Sequence, residues 1–338
     1  MKAAVIHRAG EPFEIEDRPT PEPGPGQVRI RVRACGICHS DQFVAEALWP
    51  GLELPRVPGH EVAGVIDACG EGADKFQAGE KVGVGWFGGN CGDCPACRAG
   101  DIVLCENGTI TGITRDGGYA EYMLAPIESI ARIPEGISMA EAAPLLCAGV
   151  TMFNSLRHSG ARPGDLVAIQ GLGGLGHLGL LFADALGFRV AAISRGPAKR
   201  ELAEKLGAGE FIDAAADEVG PALQKMGGAR VIVATAPDAR SISALIPALG
   251  RDGRLIVVAG AMEPFQVNAI DLISGRRSIQ GWPSGHAQDS TDTLNFAVEK
   301  KIRPMIQTFP LQEVQTAYGK MLDGEIRFRA VLEFSAAR

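Results

Sequence analysis

The stretch "VAIQGLGGLGHLGLLFADALG", residues 167–187, decides the fold, because it joins a buried-strand pattern to a glycine-rich turn and an apolar helix. Gly171, Gly173 and Gly176 follow the spacing G-x-G-x-x-G: the first permits a tight turn, the second lets backbone approach a pyrophosphate, and the third allows close helix–strand packing. The helix N terminus supplies unpaired N–H groups for phosphates. The sequence therefore predicts a dinucleotide site. The loop expected to contact the dinucleotide comprises Gly171, Gly173, Gly174, Leu175 and Gly176.

Outward from this loop, short apolar runs alternate with helical stretches such as "AKRELAEKLGA". Strands that alternate with helices predict a doubly wound parallel sheet, so we expect residues 148–280 to form a Rossmann domain of the α/β class. The predicted strands are "LVAIQ" from 166, "RVAAIS" from 189, "EFIDA" from 210, "RVIVATA" from 230, "RLIVVAG" from 254 and "RSIQGW" from 277.

Residues 1–147 have a different texture, with β-like runs separated by turn signals such as "PEPGPGQ". The runs "QVRIRVRAC", "EVAGVIDAC" and "EKVGVGWF" predict a barrel-like or irregular all-β domain. The apolar alternation of "RFRAVLEF", residues 327–334, predicts a strand that returns to this domain. The expected division is therefore residues 1–147 with 281–338, and 148–280.

Composition excludes several classes of function. Apolar residues make up 46% of the 338 and charged residues 22%, and the formal charge of −7 gives no support to nucleic-acid binding. The start "MKAAVIHRAG" holds four consecutive apolar residues, too few for a signal-peptide core, and no run reaches the roughly 20 needed to span a membrane. We therefore expect a cytoplasmic protein, in which clustered cysteines indicate metal before disulfides.

The end of the second strand of the Rossmann pattern bears on the choice of dinucleotide. An NAD site usually carries an acid there to bind the ribose 2′-hydroxyl, whereas this chain has Ser194 and Arg195, with Lys199 close behind. A hydroxyl and a guanidinium suit a 2′-phosphate, so NADP(H) is the predicted preference over NAD(H). A solvated basic start of a helix is the alternative.

Four cysteines lie close together in a Gly-rich segment, about residues 88–108, with spacings of two, two and seven intervening residues. Four thiolates can close a tetrahedron around zinc and leave no open position, which predicts a structural zinc site. An iron–sulfur cluster is the alternative for the same ligands. The four residues are Cys91, Cys94, Cys97 and Cys105.

A catalytic zinc needs three protein ligands and an open position. Cys38, in "CGICHSDQF", and His60, in "VPGHEVAG", come from loop-like segments, and Cys147, in "PLLCAGVT", lies at the domain junction. These three are the predicted ligands. Cys35 and Cys69 lie in β-like runs and are expected to be small buried residues.

Taken together, "CGICHSD", "PGHEVAG", the cysteine lobe, "DGGYAEY", "PLLCAGVTMF" and "GLGGLG" resemble the zinc-dependent medium-chain alcohol dehydrogenases of microbial type, nearly end to end. The resemblance implies a GroES-like catalytic domain and two zinc ions per chain. It also implies that Cys38, His60 and Cys147 hold the catalytic zinc, that Glu61 approaches it transiently, and that His39 contacts the cofactor pyrophosphate. Family analogy favours a homotetramer over a dimer.

Within this resemblance Ser40 is the expected acceptor of the alcohol proton, and hydride passes to or from NAD(P). Phe43 departs from the family, where a histidine often continues the proton relay. Trp49 and Trp86 match positions that line the pocket of relatives acting on small primary alcohols; ordinary packed indoles are the alternative. A cinnamyl-alcohol-type reductase of bulky aromatic aldehydes is the enzymatic rival, and a redox or zinc-sensing binding protein is the rival of another class.

Overall fold

The computed structural model describes residues 1–334, and its backbone divides into two compact units. The first unit comprises Met1–Val150 and the segment from Gly285 onward, and the second comprises Thr151–Ser284. The division expected from the sequence lay three to four residues earlier at each boundary. Residues 335–338 of the expected first domain lie outside the described part of the chain.

The first unit is rich in strands. Strands and helices are each numbered in chain order through both units. Its helices are α1 Gln42–Ala45, α2 Pro95–Arg98, α3 Met139–Pro144, α10 Ala287–Glu299 and α11 Val314–Leu322. Its strands are β1 Lys2–Val5, β2 Glu14–Asp17, β3 Gln27–Ile37, β4 Val62–Cys69, β5 Lys81–Val84, β6 Phe87–Gly89, β7 Thr109–Ile110, β8 Tyr122–Pro126, β9 Ile130–Arg132, β16 Ile306–Pro310 and β17 Arg329–Glu333.

The central strand of this unit is β3, whose sequence alternates buried apolar residues with arginines. Val28, Ile30 and Val32 point into the core, as the two-residue period of a strand requires. The order in the main sheet is β16-β17-β3-β4-β5-β9, and β8 also pairs with β3. Antiparallel pairing of β17 with β3 confirms that "RFRAVLEF" returns to this domain.

The second unit has the predicted parallel sheet. Its order, β12-β11-β10-β13-β14-β15, is that of a Rossmann fold, and each neighbouring pair is parallel. The strands are β10 Leu166–Gln170, β11 Arg189–Ser194, β12 Glu210–Asp213, β13 Ala229–Ala234, β14 Leu249–Val257 and β15 Ser278–Gly281. Each overlaps one of the predicted runs. The helices are α4 Val150–Arg157, α5 Gly176–Ala185, α6 Arg200–Lys205, α7 Val219–Lys225, α8 Ala239–Ser243 and α9 Ala269–Gly275.

Burial follows the sheet type. All five residues of the central strand β10 are buried, as expected of a parallel strand covered on both faces. None of the helices described over residues 1–334 is both long and apolar enough to cross a membrane.

Candidate active site and metal centres

Cys38 stands where strand β3 ends and a tight turn, His39–Asp41, begins. The carboxylate of Asp41 turns back to accept the backbone N–H of Cys38 at 2.8 Å, and the Cys38 Sγ accepts the N–H of Ser40 at 3.5 Å. These reciprocal bonds form a capping box. The turn therefore constrains the direction of the thiol.

Asp41 also orients His60, a role that the sequence analysis missed. Its Oδ1 lies 3.2 Å from His60 Nδ1, and its Oδ2 accepts the hydroxyl of Tyr119 at 2.6 Å. Asp41 is 2% exposed and His60 1%, so this network is dry. A carboxylate on Nδ1 leaves Nε2 free to ligate a metal. Within the described residues, Nε2 is buried without a hydrogen-bond partner.

Cys147 lies in a π-helical turn, Leu145–Gly149, between helices α3 and α4. Pro144, at the end of α3, lacks an N–H, and its ring crowds the carbonyl four residues earlier, so the helix cannot continue regularly. Such π turns are frequent at functional sites. This one places the Cys147 Sγ 3.9 Å from the Cys38 Sγ.

The ligand atoms of Cys38, His60, Glu61 and Cys147 all lie within 4.8 Å of one another, and we call these residues the buried cluster. The hydrogen bond with Cys147 lowers the pKa of the Cys38 thiol and raises that of Cys147. Two thiols and an unpartnered imidazole nitrogen are the donor set that zinc prefers, so the residues fit the ion that the sequence predicts here.

Glu61 is paired with Arg329, a second residue that the sequence analysis missed. The guanidinium of Arg329, at the start of β17, pairs with Glu61 Oε1, and both side chains are buried. Burial raises the pKa of Glu61 to about 8, although the charge of Arg329 opposes that rise. Glu61 Oε2 has no hydrogen-bond partner in the part of the chain that the structure describes. The pair joins residues 268 positions apart.

The four-cysteine lobe brings Cys91, Cys94, Cys97 and Cys105 together, with their sulfur atoms within 4.8 Å of one another. All four are free thiols, and the Sγ atoms of Cys105 and Cys91 lie 3.5 Å apart. The backbone N–H groups of Asp93 and Cys94 lower the pKa of Cys91 to about 6, which favours a thiolate ligand. This donor set fits a closed tetrahedral metal site.

Of the two remaining cysteines, the structure agrees with one expectation. Cys35 is fully buried in β3, as expected. Cys69 is exposed, and the prediction that it is buried was wrong. It is the last residue of β4, where the sheet no longer covers it.

A row of aromatic rings leads from the first turn of the site to the buried cluster, and we call Phe43, Trp49 and Trp86 the aromatic row. Each ring meets the next edge-on: Phe43 to Trp49 at 5.5 Å, and Trp49 to Trp86 at 5.9 Å between centroids. Trp86 in turn lies 5.0 Å from the ring of His60. Ser40 is half-buried in the neighbouring turn, and His39 is exposed.

The glycine loop of the second unit has the geometry that its spacing predicts. Gly171 has φ +94°, and a Cβ on Gly176 would overlap the Gly171 carbonyl oxygen. A Cβ on Gly173 would meet open space, which leaves this backbone accessible to a ligand. Leu175 precedes α5 without a side-chain cap, and the N–H of His177 already donates to the Gly173 carbonyl at 3.0 Å, so phosphate could bind only the other amides of the first turn.

At the end of β11, Ser194 is buried and Arg195 and Lys199 are exposed. The nearest acid in the sheet register is Asp213, opposite Ser194 on β12. Its Oδ1 accepts backbone N–H groups of Gly196 and Ala215 at 2.8 and 3.0 Å. Asp213 therefore supports the loop rather than replacing the missing ribose acid.

A Rossmann sheet of this strand order with a glycine-rich loop is the architecture of dinucleotide-binding enzymes. Residues 24–135 match the alcohol dehydrogenase GroES-like domain, and residues 174–299 match the zinc-binding dehydrogenase domain. The chain is 44% identical to alcohol dehydrogenase patD of Penicillium expansum, over 98% of this chain and 97% of that protein. It is 36% identical to an alcohol dehydrogenase of Geobacillus stearothermophilus, over 98% of this chain and 99% of that one.

Among solved structures, a cinnamyl alcohol dehydrogenase of Sorghum bicolor superimposes with a TM-score of 0.90 at 31% identity, covering 100% of this chain and 98% of that one. The chain belongs to the zinc-dependent medium-chain alcohol dehydrogenase family. It is therefore an enzyme of that family, and the resemblance inferred from the sequence motifs is confirmed.

Proposed function

We propose that this enzyme interconverts alcohols and their aldehydes or ketones at the buried cluster, where Cys38, His60 and Cys147 hold a catalytic zinc. The observation that carries this proposal is the buried, unpartnered Nε2 of His60 within ligand distance of two thiols. A zinc held by these three residues would act as a Lewis acid that lowers the pKa of an alcohol hydroxyl, and a bound nicotinamide dinucleotide would supply the hydride chemistry.

The chain's own residues then have separate tasks. Ser40, in the turn beside Cys38, would relay the alcohol proton, accepting it while its own hydroxyl proton passes to solvent, and the exposed His39 would contact the dinucleotide pyrophosphate. Glu61 would approach the metal transiently, since its Oε1 pairs with Arg329 and its Oε2 is the carboxylate atom left without a partner in the described chain. Asp41 is a positioning residue, because it acts through His60.

We propose a second, structural zinc in the four-cysteine lobe. The four thiols and the low pKa of Cys91 support a metal with four thiolate ligands. Metal analysis of the purified enzyme tests this: two zinc per chain are expected, whereas one zinc, or iron with inorganic sulfide, would overturn the assignment.

The preferred dinucleotide is proposed to be NADP(H). The loop from Gly171 through Gly173, Gly174 and Leu175 to Gly176 binds the pyrophosphate, and Arg195 with Lys199 and Ser194 receives the 2′-phosphate. Support comes from the exposed cations at the end of β11 and from the engagement of Asp213 by backbone amides.

The proposed substrates are small primary alcohols and their aldehydes, because the indoles of Trp49 and Trp86, backed by Phe43, occupy the space beside His60. A reductase of bulky aromatic aldehydes is the alternative, favoured by the similarity to the Sorghum bicolor enzyme. Aromatic walls can also stack on aromatic substrates.

One experiment tests cofactor and substrate together: initial rates for a panel of short, branched and aromatic alcohols and carbonyls with both dinucleotides. Higher kcat/KM with NADP(H) and short primary substrates is expected. Arg195→Asp should reverse the cofactor preference, because a carboxylate accepts the ribose hydroxyl and repels phosphate. Better efficiency with NAD(H), or with cinnamyl-type aldehydes, would replace the corresponding part of the proposal.

We also propose a homo-oligomer, with the tetramer favoured by family analogy. Exposed apolar side chains concentrate in one segment of the second unit, which comprises Met262, Val267, Ile270 and Ile273. This segment precedes β15, an edge strand of the sheet, and a second copy would cover both. Light scattering on the purified enzyme measures the number of chains.

The free thiols of all eight cysteines suit a reducing compartment such as the cytoplasm.

A further inference from the structure

An open cleft of about 650 Å³ lies at the edge of the second unit where its parallel strands begin. Leu166, the first residue of β10, lines it, whereas Gly171 follows the last residue of the same strand. Four residue steps of a strand separate the two edges by roughly 13 Å. Dinucleotides bind at the carboxyl ends of such strands, so this cleft is distinct from the glycine loop.

The charge of the lining is the reverse of the charge of the chain. Arg189, Arg230, Arg251 and Arg277 face one carboxylate, that of Asp165, in a protein whose formal net charge is −7. Asp165 Oδ2 is engaged as well, since it accepts the backbone N–H of residue 162 at 2.8 Å. The lining therefore presents an excess of positive charge to whatever enters.

Two of these guanidiniums are fixed in place by neutral groups. Arg230 Nη1 donates to the Asp252 carbonyl at 2.6 Å, and Arg277 Nη1 donates to the Asp271 carbonyl at 3.0 Å. A carbonyl orients a guanidinium without neutralising it. The nearby Asp252 carboxylate is bound at 2.9 Å by Arg276, which is outside the lining.

The other two guanidiniums, of Arg189 and Arg251, make neither a hydrogen bond nor an ion pair with the residues that the structure describes. Both are exposed, so each retains its full donor capacity. Gly164 and Gly227, where an added Cβ would meet nothing within 4 Å, keep the walls free of side chains.

We propose that this cleft binds a phosphorylated anion carrying at least two phosphate charges. Arginine forks match phosphate oxygens bidentately, and the volume suits a small phosphorylated molecule such as a nucleotide or a bisphosphate ester. We call it the arginine cleft. Its distance from the glycine loop means that the anion and the dinucleotide bind together.

The test uses inorganic pyrophosphate as the probe, titrated calorimetrically into the zinc-loaded enzyme with the dinucleotide site saturated by NADP⁺. Saturable binding is expected. The double variant Arg189→Gln with Arg251→Gln should weaken it at least about tenfold, because each removed charge-assisted bond contributes that much or more. Thermal melting checks that the variants remain folded.

The control is Lys225→Gln, which removes one positive charge, as each arginine substitution does, from the residue between Gln224 and Met226 of the lining without itself lining the cleft. It should change pyrophosphate binding less than about twofold, as an exposed charge screened by water does. No binding at millimolar pyrophosphate would overturn the proposal. Equal losses in Lys225→Gln and the double variant would also overturn it, since the attraction would then be diffuse rather than local.

Discussion

The buried cluster and the four-cysteine lobe use the same thiol chemistry but are assembled in opposite ways. The lobe draws Cys91 and Cys105 from positions only 14 apart, and Cys91 is exposed. The cluster brings Cys38 to Cys147 across 109 positions and encloses His60 almost completely. A set of thiols close together in sequence, one of them exposed, has little to hold it except a metal, whereas a set distant in sequence is held by the scaffold.

The supporting contacts show the same contrast. In the lobe, the sulfurs accept backbone N–H groups from within the lobe itself, as Cys94 donates to Cys91 at 3.4 Å. In the cluster, the supporting residues Asp41, Tyr119 and Arg329 come from three separate parts of the chain and contact His60, Asp41 and Glu61. We therefore expect metal loss to unfold the lobe and to leave the fold of the cluster intact.

The largest expected effect is in the lobe. Cys94→Ser should remove the zinc of the lobe, because it takes away one of four thiolate ligands. The effect on the folding of the lobe should be large, because structural zinc contributes about 10–16 kcal/mol to folding in small peptides. Metal analysis should fall from two zinc to one, and proteases should cut within residues 91–105. Cys69→Ser, which alters an exposed thiol outside the lobe, is the control and should change neither reading. A variant that keeps its full metal content would show that the scaffold holds the lobe too.

Next in size is Cys147→Ala, which should lower kcat/KM by about 10³-fold or more, since metal stabilisation of transition-state charge contributes several kcal/mol. The melting temperature should change little, because the π turn and its neighbours remain. Cys35→Ala, a fully buried thiol outside the cluster, should keep its activity. If Cys147→Ala unfolds the protein, the contrast between the two sites fails.

A smaller effect is expected for Asp41→Asn, which weakens the orientation of His60. Loss of such an outer carboxylate typically costs about 10–100-fold in metal affinity. Zinc competition with a chromophoric chelator should show this loss for one zinc only, with the lobe unaffected. The control is Asp116→Asn, because the Asp116 carboxylate bridges Arg18 and Arg56 in the same unit, away from both metal sites. Equal weakening of both zinc sites would contradict the local role of Asp41.

The smallest effect concerns the release of the alcohol proton from the buried cluster to solvent. Phe43→His should restore a titrating group near neutrality to the relay. The rate of alcohol oxidation near neutral pH should rise, and its pH profile should shift to lower pH. The rise in rate should be smaller than the roughly 10²–10⁴-fold that a complete general base contributes, because Ser40 is already in place. The measurement is kcat and kcat/KM against pH. An unchanged profile would place proton release elsewhere.

Local patterns explain what could be predicted. The glycine loop, the parallel strands and the four-cysteine spacing depend on neighbours in sequence, and the structure has each of them. The Asp41 carboxylate bonds within its own turn, to the N–H of Cys38, but its bond to His60 depends on tertiary packing that no local pattern reveals. Arg329 pairs with a residue 268 positions away, and an isolated arginine in a strand carries no sign of its partner.

The π turn at Leu145–Gly149 makes the register of this segment as decisive as its residue types. A π turn holds one residue more than an α turn, so deletion of a single residue there would let α3 and α4 merge into one regular helix. Every side chain beyond the deletion would then rotate by about 100° about the helix axis. An insertion or deletion in this segment therefore changes the direction of the Cys147 thiol, even when it preserves every ligand and the helical character of the segment.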